Sequence, residues 1–318
     1  MRTYRKATKS GVTKRLGSVK AHLPKRRYSD GFIKHIDRYP GELIGEIRVI
    51  GSRLYEHPGR SDILKSNLKM ICVAYLLLIT SAELLTTYDA KLGIALHITI
   101  LFGLLLYAAI EYDKSKVRSH FLISLIIAPI IRILSLSMPV IYFGWFFWFL
   151  LISIPIFISV FTCMWLLGIH PKDIGLAMPC RRDVPVEVGV ILIAVPFGIM
   201  EYLILKPSPL NLSLELPNFI ALTLIMLICT GFLEEISFRG LIQFTTQQVM
   251  SKWGGILFVS TVFGVLHVGN LTFLDCLLAF SAGFLFSVVR EKTGSIYGIS
   301  ISHGIINIIL FLLAPFYF

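Results

Sequence analysis

Thr230-Gly231-Phe232-Leu233-Glu234-Glu235-Ile236-Ser237-Phe238-Arg239-Gly240 lies in the middle of an apolar run from 217 to 249. Two adjacent carboxylates and an arginine therefore stand where the core of a bilayer would be. An ionisable group at that depth costs about 3 kcal/mol or more, so it needs a partner or a function. Glu235 and Arg239 are i, i+4 on a helix and can pair. That leaves Glu234, one position round the helix, free to point elsewhere.

The rest of the chain has the same apolar character. Membrane spans are expected near 68–87, 91–111, 121–138, 142–168, 186–205, 217–249, 255–269, 271–290 and 296–316. Each is about the ~20 residues that cross a bilayer core. The expected fold is all-α: a polytopic transmembrane bundle of eight to nine spans, the seventh being the least distinct. Hydrophobic residues make up 55% and charged residues 15%, against roughly a quarter charged in soluble domains. Little is left for a separate soluble domain. No internal repeat of the transporter kind stands out, and no signal peptide is visible, so insertion is expected through the first span.

Thirty basic and nineteen acidic residues give a net charge of +11. Residues 1–66 hold much of the excess, in Lys14-Arg15 and Lys25-Arg26-Arg27 among others. They are expected to be a basic cytoplasmic tail, partly disordered, in which Phe32 to Leu64 form short amphipathic helices or a solvated segment. Lys114, Lys116 and Arg118 follow the second span, and Lys172, Arg181 and Arg182 the fourth. Lys252 follows the sixth, and Arg290 and Lys292 end the eighth. The alternate connections carry little beyond Lys91 and Lys206. Lysine and arginine accumulate on the cytoplasmic side, so the N-terminus is expected in the cytoplasm, the C-terminus outside, and the cell (plasma) membrane as the location. Membrane lipid is the partner this charge suggests; nucleic acid is not expected. Cys72, Cys163, Cys229 and Cys276 lie in apolar runs as small hydrophobes, and Cys180 reads as a surface thiol.

Polar groups within the spans separate the two halves of the chain. In the first five spans Glu83, His97, Arg132 and Glu201 are sparse, and snorkelling or one structural pair accounts for them. In the last four they gather. Phe263-Gly264-Val265-Leu266-His267 joins the Glu-Glu stretch, as does Ser302-His303-Gly304-Ile305-Ile306-Asn307. The eighth span adds only Asp275, and its Ser281, Ala282 and Gly283 suit close packing. A hairpin turning near Met250–Gly254 puts Glu234 and His267 roughly 24 and 20 Å from the turn, and His303 and Asn307 lie roughly 14 and 20 Å into the last span. The groups share one layer of the bilayer.

A carboxylate and imidazoles in such a layer can activate water. Glu234 can take the proton as general base, and His267 can hold the water directly or through a metal. Glu234, His267 and His303 are a candidate Zn²⁺ ligand set. His303 and Asn307 can donate hydrogen bonds to an oxyanion, and Arg239 neutralises Glu235. Peptide hydrolysis needs these parts. A network that knits helices together, and a proton or ion pathway, use the same residue types and stay open on physical grounds.

Glu234-Glu235-x-x-x-Arg239, Phe263-x-x-x-His267 and His303-x-x-x-Asn307 resemble the three signature motifs of the CPBP family, the CAAX proteases and bacteriocin-processing enzymes also called Abi. Phe238-Arg239-Gly240 and Asp173-Ile174-Gly175-Leu176 match the family's usual wording, and the resemblance covers about 170–318. It divides the chain into a tail (1–66), N-terminal transmembrane helices (67–169) and a catalytic core (170–318). It implies an intramembrane endopeptidase of glutamic or metalloprotease type acting on a peptide or lipidated protein, including prenylated CAAX proteins. The resemblance maps the catalytic glutamate to Glu234 and its water-positioning partner to His267. It maps the oxyanion or second-histidine motif to His303 and Asn307, and the supporting pair to Glu235 and Arg239. The cavity is expected to open toward the cytoplasm or sideways to lipid. A non-enzymatic immunity or scaffold protein and an ion-coupled transporter are the rival functions.

Overall fold

A computed structural model describes residues 58–138, 145–209 and 215–317. Most of the basic tail and its expected amphipathic helices lie outside the described residues. Residues 64–318 form one compact unit.

Among the described residues nine helices are long and apolar enough to cross a membrane: α1 (Asn67–Tyr88), α2 (Ala90–Tyr112), α3 (Lys116–Ser137), α4 (Phe147–Leu167), α5 (Arg181–Leu205), α6 (Leu216–Val249), α7 (Lys252–Asn270), α8 (Phe273–Thr293) and α9 (Tyr297–Tyr317). No strand occurs among them. The protein is an all-helical integral membrane bundle, with span limits within a few residues of those expected.

Short polar caps set the turns. Asp89 accepts from the backbone N–H of Lys91 and Leu92 at the start of α2. Ser251 does the same for Gly254 at the start of α7. Such side chains satisfy N–H groups that a helix start leaves unpaired. At the end of α8 the chain turns through Gly294, with φ +70°, a conformation glycine adopts without cost.

Polar contacts sort the helix ends into two faces. On one, Arg118 pairs with Glu111 at 2.8 Å and Gln247 donates to Glu291 at 2.9 Å. Arg290 there donates to the Asp173 carbonyl at 2.8 Å, and the Ile296 N–H to the Gly175 carbonyl at 3.0 Å. This face carries the connections rich in lysine and arginine, and it contains the Asp173–Leu176 loop. On the opposite face Trp148 donates to the Met138 carbonyl at 3.1 Å and Asn270 to Asp275 at 2.8 Å. Near it the buried Glu83 takes two hydrogen bonds from Arg132, with His97 at 3.3 Å. One structural group thus accounts for three of the four charged residues in the early spans.

α6 and α9 approach closely at glycines. A Cβ on Gly231 would lie 2.6 Å from the Gly304 nitrogen and 2.7 Å from the Ser300 carbonyl oxygen. Small residues at such crossings let backbones meet where lipid gives no hydrophobic drive. Gly231→Ala is expected to cost about 3 kcal/mol through overpacking. Gly103→Ala, which meets nothing within 4 Å, should be neutral or slightly stabilising. Thermal unfolding of both variants in detergent checks the contrast.

Candidate active site

α6 is not a uniform α-helix where it matters. Met226–Phe232 and Ile236–Ile242 form wide π turns, separated by the short α segment Leu233–Glu235. Wide turns of this kind inside α-helices accompany functional sites. The two carboxylates sit between them and lead to different surroundings.

Glu235 is fully buried. Its Oε1 accepts from Arg239 Nη1 at 2.9 Å and from His303 Nδ1 at 2.7 Å. The expected i, i+4 pair is present, and it also ties α6 to α9. An ionised carboxylate only accepts, so His303 carries its hydrogen on Nδ1. Arg239 is likewise fully buried, with its guanidinium 4.1 Å from the Phe263 ring centroid, 5.6 Å from that of Phe286 and 5.9 Å from that of Phe238. The rings present their negative faces to the cation where further acceptors are lacking. Its Nε and Nη2 have no hydrogen-bond partner among the described residues.

Glu234 points the other way, with one-third of its side chain exposed. It lines a cavity of about 520 Å³ together with His267, His303 and Asn307. His303 Nε2 is 3.8 Å from Glu234 Oε2. That is too long for a direct hydrogen bond and leaves a small oxygen room to contact both. With His303 protonated, Glu234, Glu235, His303 and Arg239 form a charge-neutral set.

His267 sits where α7 ends. The α-helical part stops at Val265, and a 3-10 turn follows at Val268–Asn270. Its Nδ1 is 2.9 Å from the Phe263 carbonyl oxygen. A carbonyl only accepts, so Nδ1 carries the hydrogen and Nε2 of the neutral ring is an acceptor. Asn307 donates from Nδ2 to Thr230 Oγ1 at 2.9 Å, and the Thr230 hydroxyl donates to the Met226 carbonyl. The threonine oxygen is thereby free to accept, which fixes the amide orientation and leaves Asn307 a second N–H.

All four residues expected to act line one cavity, and both supporting residues lie beneath it. Two further contributors went unrecognised in the sequence. Thr230 orients Asn307, although nothing in a lone threonine on an apolar helix marks it. Glu201, assigned to snorkelling, lines the cavity from α5. Arg132 also reaches its wall, so the early spans help to build it.

Glu234, His267 and His303 are the zinc ligands the sequence suggests. Each histidine has one ring nitrogen fixed by an oxygen and the other available, as metal-binding histidines do. Among the described residues, however, no three His, Cys, Asp or Glu side chains are drawn together into a group that could hold a metal. The present geometry does not fit a three-residue zinc site.

Residues 216–309 match the family model described as Rce1-like, type II CAAX prenyl endopeptidase Rce1-like. The match supports the CPBP family of CAAX proteases for this segment. The matched segment contains the Glu-Glu stretch, His267, His303 and Asn307, and it is narrower than the 170–318 expected, leaving out the Asp173–Leu176 loop. No curated protein and no solved structure matches the chain.

The matched segment stands on a buried charge pair that can be tested alone. Glu235→Ala leaves Arg239 buried without its carboxylate, at an expected cost of roughly 3–5 kcal/mol. Glu235→Leu combined with Arg239→Met should recover much of that loss, since both charges then leave the interior. Thermal unfolding in detergent measures both.

Proposed function

We propose that this protein is an intramembrane endopeptidase that hydrolyses peptide bonds of membrane-associated proteins or peptides, prenylated CAAX-type substrates included. The family match supports the reaction class. The observation that carries the mechanism is the partly exposed Glu234 carboxylate, 3.8 Å from His303 Nε2 in a cavity shared with His267 and Asn307.

A water in the cavity can donate one hydrogen to Glu234 and the other to His267 Nε2. Glu234 takes the first proton as the water oxygen attacks the peptide carbonyl carbon. The carbonyl π electrons move to oxygen and form a tetrahedral oxyanion. The free N–H of Asn307 and the Nε2–H of protonated His303 donate to it. The oxyanion then collapses, the C–N bond breaks, and Glu234 returns its proton to the leaving amine. Arg239 and Glu235 do not touch substrate in this scheme; they hold His303. No step runs through a metal.

Residues 170–318 are the proposed catalytic core and 67–169 its supporting helices. The proposed location is the cell membrane, with the N-terminal segment cytoplasmic and anionic lipid its partner.

The test pairs purified wild type with Glu234→Gln on a mixture of prenylated and unprenylated peptides, read by mass spectrometry. Wild type should cleave, and Glu234→Gln should lose about 10³-fold, with His267→Ala similarly impaired and both still inserted. Cleavage retained in Glu234→Gln sinks the mechanism. Metal content is measured on the same samples: zinc that survives washing and is required for cleavage would replace the direct water scheme with a metal-assisted one. Thr230→Val releases Asn307 and should lower kcat roughly tenfold with KM little changed. Equal loss in both parameters would instead make Thr230 a binding residue.

A further inference from the structure

We infer that Arg132, on α3 and outside the family match, is the cavity's anchor for the substrate's C-terminal carboxylate, so that the bond cut lies within a few residues of the chain end. The inference rests on the endopeptidase reading and adds a specificity residue to it.

Glu83, His97 and Arg132 tie α1, α2 and α3 together, but their exposures differ. Glu83 and His97 are fully buried, whereas 19% of the Arg132 side chain is exposed, and Arg132 lines the cavity. The guanidinium meets Glu83 along one edge, through Nε and Nη2. A guanidinium has five N–H donors, so two on Nη1 and one on Nη2 remain. No further hydrogen bond from them occurs among the described residues. One N–H on each terminal nitrogen makes a second edge, the geometry that grips a carboxylate with two parallel bonds. His97 Nε2, 3.3 Å from Glu83 Oε1, steadies the carboxylate behind. The free edge is therefore oriented before any ligand arrives.

Charge and distance say what that edge receives. Among the described residues Arg132 is the one lysine or arginine lining the cavity, and the acids there are Glu234 and Glu201. A carboxylate entering beside two others is tolerated only where a fixed cation pairs with it. A Cβ on Gly269 would lie 3.0 Å from Arg132 Nη2, so the guanidinium packs on the turn that follows His267. Gly269 is two residues after His267, which keeps the guanidinium within roughly 12 Å of the His267 backbone. An extended peptide covers that in about three to four residues. Asn270 lines the cavity beside this turn and keeps one Nδ2 hydrogen after donating the other to Asp275. A cavity of about 520 Å³ is the size that encloses a compact ligand, which fits a short chain end better than a passing chain.

The probe is one prenylated peptide made in three forms: C-terminal free acid, C-terminal amide, and the amide with aspartate as its last residue. Wild type should cleave the acid with a KM about tenfold or more below that of the amide and a similar kcat. Arg132→Lys keeps the charge but loses the two-pronged grip, and should bring the ratio of the two KM values toward one. Glu83→Gln combined with Arg132→Gln removes both charges together, so neither is left buried alone, and should abolish the preference. A merely structural Arg132 would impair acid and amide alike and leave the ratio where it was. Equal KM values in wild type, a comparison that needs no variant, overturn the inference. So does an unchanged ratio in whichever variant folds. Full recovery with the aspartyl amide assigns a side-chain carboxylate and overturns the chain end. Fluorescently labelled forms of the same peptides are also bound to Glu234→Gln protein, without turnover. Tenfold preference for the acid in binding, with no cleavage by wild type, counts against the endopeptidase reading alone. Binding that ignores the C-terminus counts against Arg132 alone, and absence of binding by all three counts against both.

Discussion

The carboxylate of Glu235 is the constraint on which the site depends. It is fully buried in an apolar bundle and shares its charge between Arg239 on its own helix and His303 on another. A buried charge is tolerable only when paired and hydrogen-bonded, so the fold must bring α6 and α9 close enough for that bond. Gly231 and Gly304 allow the approach, because any side chain there would meet backbone. The aromatic rings around Arg239 complete the arrangement. Charge balance, glycine crossing and histidine orientation are one requirement seen in three places.

The neighbouring Glu234 gains its chemistry from not being part of that balance. Two adjacent residues on a helix point in different directions, and the wide turns on either side set them against different surroundings. One carboxylate is spent on structure and the other is left facing a cavity, with an imidazole at 3.8 Å. Glu83 follows the first pattern in the early spans, where Arg132 and His97 satisfy it. Arg132 lines the cavity wall as well, so the segments outside the family match still shape the site.

Much of this was legible in the chain. The spans follow from runs of about twenty apolar residues, because a bilayer punishes any exposed backbone and enforces helices of that length. The six motif residues stood out because an ionisable or amide side chain is rare in such a run. Glu201 and Thr230 were missed for opposite reasons. Glu201 lies near a span end, where a carboxylate can reach water, so position gave no reason to turn it inward. Thr230 is a common residue in membrane helices, where its hydroxyl usually bonds its own backbone; here it does so and also accepts from Asn307. The end of the α-helical part of α7 at Val265, which puts His267 just beyond it, has no marker in the local residues either.

The sequence by itself determined that this is an all-helical membrane protein of eight to nine spans whose C-terminal part resembles the CPBP family. It also marked which side chains are candidates for its chemistry and which connections are basic. These follow from the cost of polar groups in hydrocarbon and from the charge of short loops, both readable residue by residue. Only the tertiary structure decided that Glu235 is bound to His303, that Thr230 aims Asn307, and that Glu201 and Arg132 line the same cavity as the motif residues. Each depends on which faces of separate helices meet. That is fixed by close packing at a few small residues and by the need to satisfy every buried charge at once.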